Sequence, residues 1–252
     1  MLFPIKAADA IAATLPRPDH VVVVIMENHS FKQIIDPNEA PFIYGLAKGG
    51  ALLVNSFAIS HPSQPNYFAL FSGSTQGVRD NDDHSFDAPT LAGALKAARM
   101  SFIGYVESGS PRKHNPWESF VNARAVERNL RRFPKDFTQL PTVSFVIPNL
   151  DNDMHDGSVI DGDVWLKVHL GAYAKWAKTH NSLLIVTFDE DDHGSENHIP
   201  TIVYGAHVLP GQYAERISHY SVLSTLLAMY ALPPIGETTA TPPISTIWDQ
   251  TK

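Results

Sequence analysis

The sequence predicts an α/β domain with a mostly parallel central sheet flanked by helices on both faces. Residues 20–28, HVVVVIMEN, are a β-branched run bounded by polar residues, the pattern of a strand buried on both sides. Similar apolar runs recur along the chain with helical patterns between them, and strands alternating with crossover helices indicate a parallel sheet. The 252 residues show no internal repeat, low-complexity linker or composition shift, so 1–252 is read as one domain with its core at about 20–232.

The elements follow in order. Asn38 to Lys48 fits a helix stopped by Gly49–Gly50. ALLVNSFAIS is a second strand, and SQPNYFALFSGS a turn feeding a helix with apolar positions at Tyr67, Leu70 and Phe71. Residues 89–99 form an amphipathic helix with Pro89 near its first turn. SFIGYVES, PTVSFVIPN and NSLLIVTFDED are further strands. GDVWLKVHLGAYAKWAKTH is a long helix with apolar residues at Val164, Leu166, Leu170, Tyr173 and Trp176. IPTIVYG adds a short strand and HYSVLSTLLAMYAL a late helix, and the polar, proline-bearing tail ETTATPPISTIWDQTK packs across the surface.

Composition removes several function classes. A net charge of −7 argues against a protein that wraps nucleic acid, although metal ions can still let an acidic site bind an anion. With no cysteine there are no disulfides, thiolate zinc sites or cysteine nucleophiles. No apolar run approaches the roughly 18 residues needed to span a bilayer, so no stable membrane insertion is expected. The opening segment MLFPIKAADAIAATLPRPDH lacks the basic and long apolar regions of a signal peptide.

Chemistry-bearing residues gather where the strands end, the edge at which parallel sheets collect ligands. VVVVIM runs into Glu27 and Asn28, and FAIS into His61, Ser63 and Asn66. IGYVE ends at Glu107 with His114 and Asn115 beyond. SFVIPN runs into Asn149, Asp151, Asp153, His155 and Asp156, and LLIVTF into Asp189, Glu190, Asp191, Asp192 and His193. One carboxylate after a strand is ordinarily a helix cap or a solvated loop residue. Five such clusters on one edge would repel one another unless cations or protons offset the charge, and Asp, Glu, Asn and His without thiols suit divalent ions. A divalent metal is therefore expected.

Ser63 lies between two prolines at a helix start, where unpaired N–H groups favour an anion; a plain N-cap gives the same pattern. His114 and His155 are the acid/base candidates, with a surface or supporting role as the alternative for each. His169, His180, His207 and His219, within or beside apolar helices and strands, read as structural. FVIPNLDNDMH has the DxDx of haloacid-dehalogenase-type phosphatases, but past mid-chain and followed by His155. Neither DNDMHDG nor DEDDHG fits an EF-hand loop, and no RHGxRxP-like segment supports a histidine acid phosphatase.

MENHSF, HPSQPNYFALFSG, HNPWESF, PNLDNDMHDG and TFDEDD, in this order, resemble the bacterial phosphoesterase family of acid phosphatases and phosphatidylcholine-preferring phospholipases C, within the alkaline-phosphatase-like superfamily. The resemblance spans roughly residues 20–232 and is greatest to short secreted acid phosphatases of the phosphoinositide-phosphatase type. It implies an alkaline-phosphatase-like fold and hydrolysis of phosphate monoesters through a phosphoseryl intermediate on Ser63. Glu27, Asn28, Ser63, Asp189 and Glu190 are the implied metal ligands. His155 and His114 lie near the phosphate and leaving group, Asp153 supports the His155 loop, and Asn66 and His198 bind substrate.

One divalent ion is expected. A second site would combine Asp151, His155 and His198, because Asp151 and His155 have the D-x-x-x-H spacing of the wider superfamily. The implied partner is a small phosphate ester or a phospholipid headgroup, and the implied location is secreted or periplasmic. The alternatives are a phospholipase C-type phosphodiesterase and a non-catalytic metal- or phosphate-binding protein.

Overall fold

The computed structural model describes residues 5–6 and 15–250, so most of the N-terminal segment read above lies outside the described residues. Among the described residues nine strands form one sheet. They are β1 (Ile5–Lys6), β2 (His20–Met26), β3 (Ala51–Phe57), β4 (Phe102–Val106), β5 (Glu127–Asn129), β6 (Val143–Ile147), β7 (Ser182–Phe188), β8 (Thr201–Gly205) and β9 (Gly211–Ser218), in the spatial order β1-β9-β3-β8-β7-β2-β6-β4-β5. The helices are α1 (Phe31–Ile34), α2 (Pro41–Gly49), α3 (Ser63–Ser72), α4 (Leu91–Ala97), α5 (Val159–Ala177) and α6 (His219–Met229). All neighbouring pairs are parallel except those of β8, which runs against both β3 and β7.

The side chains of β2 divide the molecule into its layers. Successive strand residues point to opposite faces. Val21, Val23 and Ile25 join one core with Tyr67, Phe68 and Phe71 of α3, Leu91 of α4 and Leu223 of α6. Val22, Val24 and Met26 join the other with Ile43 and Leu46 of α2 and Leu166, Leu170 and Tyr173 of α5. Helices thus cover both faces, as expected, and an uninterrupted apolar run is what a strand buried on both sides requires.

Some expectations are corrected. On α5 the half-turn containing Trp165 faces the core, so Val164 is exposed, as are Ile160 and Val168 on the same side. The tail does more than cover the surface. Ile244, Ile247 and Trp248 are buried, and Leu209 N–H donates to Ile247 O at 2.9 Å. Strand β9 is absent from the sequence reading because its buried positions include Gln212 beside Tyr213, which breaks the apolar run.

Helix α3 carries the candidate nucleophile and is buried at every position from Ser63 to Ser72. It stops at Gly73, where φ is +71° and a Cβ would come within 2.3 Å of Ile235 O, so glycine is required twice over. Helix α2 begins with an unusual cap. Asp163, from the second turn of α5, accepts from Phe42 N–H at 2.9 Å with one oxygen and from Ile43 N–H at 2.8 Å with the other. Asp163→Ala will orphan both amides and the loss should be about 1–3 kcal/mol of unfolding free energy, read by urea denaturation. A loss below experimental error would show that the clamp contributes nothing.

Candidate active site

Register brings the first two carboxylates together. Met26 of β2 pairs with Phe188 of β7, so the residues that follow, Glu27 and Asp189, leave the sheet side by side. Asp189 N–H donates to Met26 O at 2.9 Å, and Glu27 N–H donates to Asp153 O at 2.8 Å in the loop after β6. Asn28 has a left-handed backbone (φ 53°) and its N–H donates to Asp189 Oδ1 at 3.2 Å. Three adjacent strand ends therefore converge on one buried point.

Ser63 reaches the same point from β3 through the turn at residues 58–62. Its hydroxyl lies 3.2 Å from Glu27 Oε2 and 3.0 Å from Glu190 Oε1. One turn along α3, on the same face, Tyr67 donates its phenolic hydrogen to Glu27 Oε1 and stacks on His114 with 5.0 Å between ring centroids. His114 is fully buried; its Nε2 is 3.2 Å from Glu27 Oε1 and its Nδ1 is 3.4 Å from Asp153 Oδ2.

The electrostatics of this cluster are unfavourable as it stands. Burial, then the charges of Asp189 and Asp153, holds the Glu27 carboxyl well above the usual range. Burial and the Glu190 charge do the same to Asp189, and burial pushes Asp153 to about 7. Burial also pushes His114 well below the usual histidine range, assisted by the charges of Lys113 and His155. Asp189 Oδ2, Asp153 Oδ2 and both ring nitrogens of His114 are buried without a hydrogen bond. Orphaned oxygen and nitrogen donors of this type fit a hard or borderline divalent cation. Glu27, His114 and Asp153 present ligand atoms within 4.8 Å of one another, the one such group of three among the described residues.

Other candidates fall elsewhere. His155 sits at the rim, part exposed, with Nδ1 2.8 Å from Asp156 Oδ1 and its ring 6.2 Å from that of His114. Asn66 is not aimed at a ligand. Its Oδ1 accepts from Ile59 and Ser60 N–H and its amide donates to Ser60 O, which fixes the turn before Ser63. His198 also departs from expectation: it stacks between Phe31 and Phe57, and its Nε2 lies 3.0 Å from Val54 O. Asp151, His155 and His198 are not in the group of three that brings its ligand atoms together among the described residues. His219, read as structural, is buried with Nε2 2.7 Å from Asp189 O, where burial pushes it down to about 4.

Tyr67 is given no site role by the sequence, and His61 is placed at a strand end without one. Tyr67 reads as one more core position of an apolar helix, though its spacing of four from Ser63 was a usable signal. His61 Nδ1 lies 2.5 Å from Glu190 Oε2, a pairing across 129 positions that sequence does not reveal.

The family model for the Phosphoesterase family matches residues 33–233. A phosphatidylinositol-3-phosphatase of Mycobacterium tuberculosis is 50% identical over 94% of this chain and 85% of its own length. A phosphate-repressible acid phosphatase of Penicillium chrysogenum is 31% identical over 86% of this chain, and the match spans 60% of the fungal protein. Among solved structures, a Vibrio parahaemolyticus protein of the alkaline phosphatase superfamily superposes with a TM-score of 0.64 at 12% identity, over 94% of this chain and 73% of that one. The lipoteichoic acid synthase LtaP of Listeria monocytogenes gives 0.65 at 8% identity, over 98% of this chain and 80% of that one. These likenesses give the fold expected from the motifs, and no helix among the described residues is long and apolar enough to cross a membrane. The chain belongs to the phosphoesterase family and is a phosphoric ester hydrolase with an alkaline-phosphatase-superfamily fold.

Proposed function

We propose that this protein is a divalent-metal-assisted phosphomonoesterase that works through a phosphoseryl intermediate on Ser63. The observation that carries the reading is the position of Ser63 Oγ, between Glu27 Oε2 and Glu190 Oε1 at the first residue of a buried helix. Glu27, Asn28, Asp189 and Glu190 would hold the metal with Ser63, and His114 and Asp153 lie against Glu27. A divalent ion held there would supply positive charge that favours loss of the Ser63 hydroxyl proton.

The protein's own groups account for the rest. Ser63 Oγ forms a bond to phosphorus as the ester P–O bond breaks in line, and the Ser63 proton passes to the carboxylates beside it. The α3 N-terminus faces the negative charge on the phosphoryl oxygens. His155, at the rim, gives a proton to the departing alkoxide; buried His114 stands between Glu27 and Asp153. Water then attacks phosphorus and gives a proton back to His155 as the Oγ–P bond breaks, and Ser63 regains its proton from the carboxylates.

The names of the relatives favour phosphomonoesters, including phosphorylated inositol lipids. The segment 112–135, which carries His114, holds seven of the 19 Lys and Arg residues, in keeping with a polyanionic headgroup. The family resemblance favours a secreted or periplasmic location over a cytoplasmic one.

Acid-quenching the enzyme during turnover of p-nitrophenyl phosphate, followed by peptide mass spectrometry, should place one phosphate on Ser63. Labelling at another residue, or none in a sample that shows a product burst, would rule out this intermediate.

A further inference from the structure

Glu190 has its two oxygens directed to different partners. Oε1 accepts from Ser63 Oγ at 3.0 Å, and Oε2 lies 2.5 Å from His61 Nδ1. In the tautomer with hydrogen on Nδ1, His61 donates to this oxygen. The other ring nitrogen, Nε2, stands 3.3 Å from Asp191 Oδ1.

Asp191 is itself immobilised. Its side chain is buried and accepts from the backbone N–H groups of His193, Ser195 and Asn197, all at 2.8–2.9 Å. The His193 ring stacks on His61 with 3.9 Å between centroids. The backbone leading into His61 is also tied down. Asn66 binds Ile59 and Ser60 from one side, and Asn197 donates its amide to Ser60 O from the other. The imidazole is therefore held on three sides, and its one strong polar contact is to the carboxylate that touches the nucleophile.

We propose that His61 is a positioning residue, fixing Glu190 so that Oε1 stays directed at Ser63 Oγ. A glutamate has three rotatable bonds, and a carboxylate held at one oxygen can turn away from its second partner. His61 removes that freedom. This assignment rests on Ser63 being the nucleophile and on Glu190 serving the metal.

The test compares His61→Ala, His61→Asn and Ser63→Ala with wild type, using p-nitrophenyl phosphate kinetics, Mn²⁺ binding by calorimetry, and thermal melting. His61→Ala should lower kcat and weaken Mn²⁺ binding by about 10–100-fold, the range found when an outer-shell partner is removed. KM should change little. In His61→Asn the amide N–H can take the place of Nδ1–H, and it should recover most of both losses. Wild-type kcat and Mn²⁺ affinity in His61→Ala would overturn the proposal, as would equal impairment of the Asn and Ala variants with matching losses of melting temperature. An active Ser63→Ala would instead defeat the nucleophile assignment. If Ser63→Ala is inactive while His61→Ala is unaffected, the positioning role alone fails. If His61→Ala does not fold, near-normal activity and Mn²⁺ binding in His61→Asn, with His61→Leu deficient in both, would carry the same support. Equal behaviour of those two would overturn it.

Discussion

Ser63→Ala will lower phosphomonoester turnover by at least about 10³-fold while the protein stays folded, because the proposed pathway runs through a bond to Ser63 Oγ. The geometry makes the change selective. Ser63 is 2% exposed and contributes one oxygen between two carboxylates, so the substitution leaves only a very small void. Phe68, Leu70 and Phe71 of α3 keep their packing. The fold is checked by circular dichroism and turnover by initial rates. A folded Ser63→Ala enzyme working within tenfold of wild type would remove Ser63 from the mechanism.

The second large effect concerns pH and metal removal. In the unfolded chain the carboxyls of Glu27, Asp153 and Asp189 titrate near 4, whereas in the folded protein all three are raised, Asp153 to about 7. The folded state then holds protons that the unfolded state has released, so stability falls as pH rises through that interval. His114 and His219 act in the opposite sense. Both are depressed, His219 to about 4, so the unfolded chain takes up protons below about 6.5 and stability rises with pH up to that point.

The two sets oppose each other between about pH 4 and 6.5, and above 6.5 only the carboxyls remain. Chelated protein should therefore lose melting temperature from pH 6.5 to 8. Added Mn²⁺ should restore most of it, because a bound cation takes the charge that protons carried. A chelated protein whose melting temperature is flat or rising over that range would contradict the buried, uncompensated cluster.

The sequence made these carboxylates visible for a physical reason. Buried parallel strands are apolar throughout, so the first charged residue after each, Glu27 or Asp189, marks the sheet edge at which ligands collect. The layering was legible for the same reason. What escaped depends on partners distant in sequence. Asp163 reads as a polar residue on a helix, yet it caps another helix about 120 positions away. Asp191 reads as one more acid in DEDD, yet its oxygens are spent on the backbone of its own loop. Asn66 and His198 matched a family pattern, and only their hydrogen bonds show that they brace the chain. Nor could the reversed direction of β8 be read, because a short strand has the same pattern in either direction.

The turn before Ser63 is braced by Asn66 from within and by Asn197 from the neighbouring loop. On the proposed mechanism, a nucleophile mounted this way cannot adapt its position to the ester it meets, so every substrate must bring its phosphoryl group to one fixed place. Recognition of whatever lies beyond the phosphate is left to the segments around the rim. Such a division lets a lineage exchange one alcohol for another by altering those segments while the phosphoryl station stays unchanged. Relatives similar to this chain carry names as different as a phosphatidylinositol-3-phosphatase and a fungal acid phosphatase, in keeping with such a division.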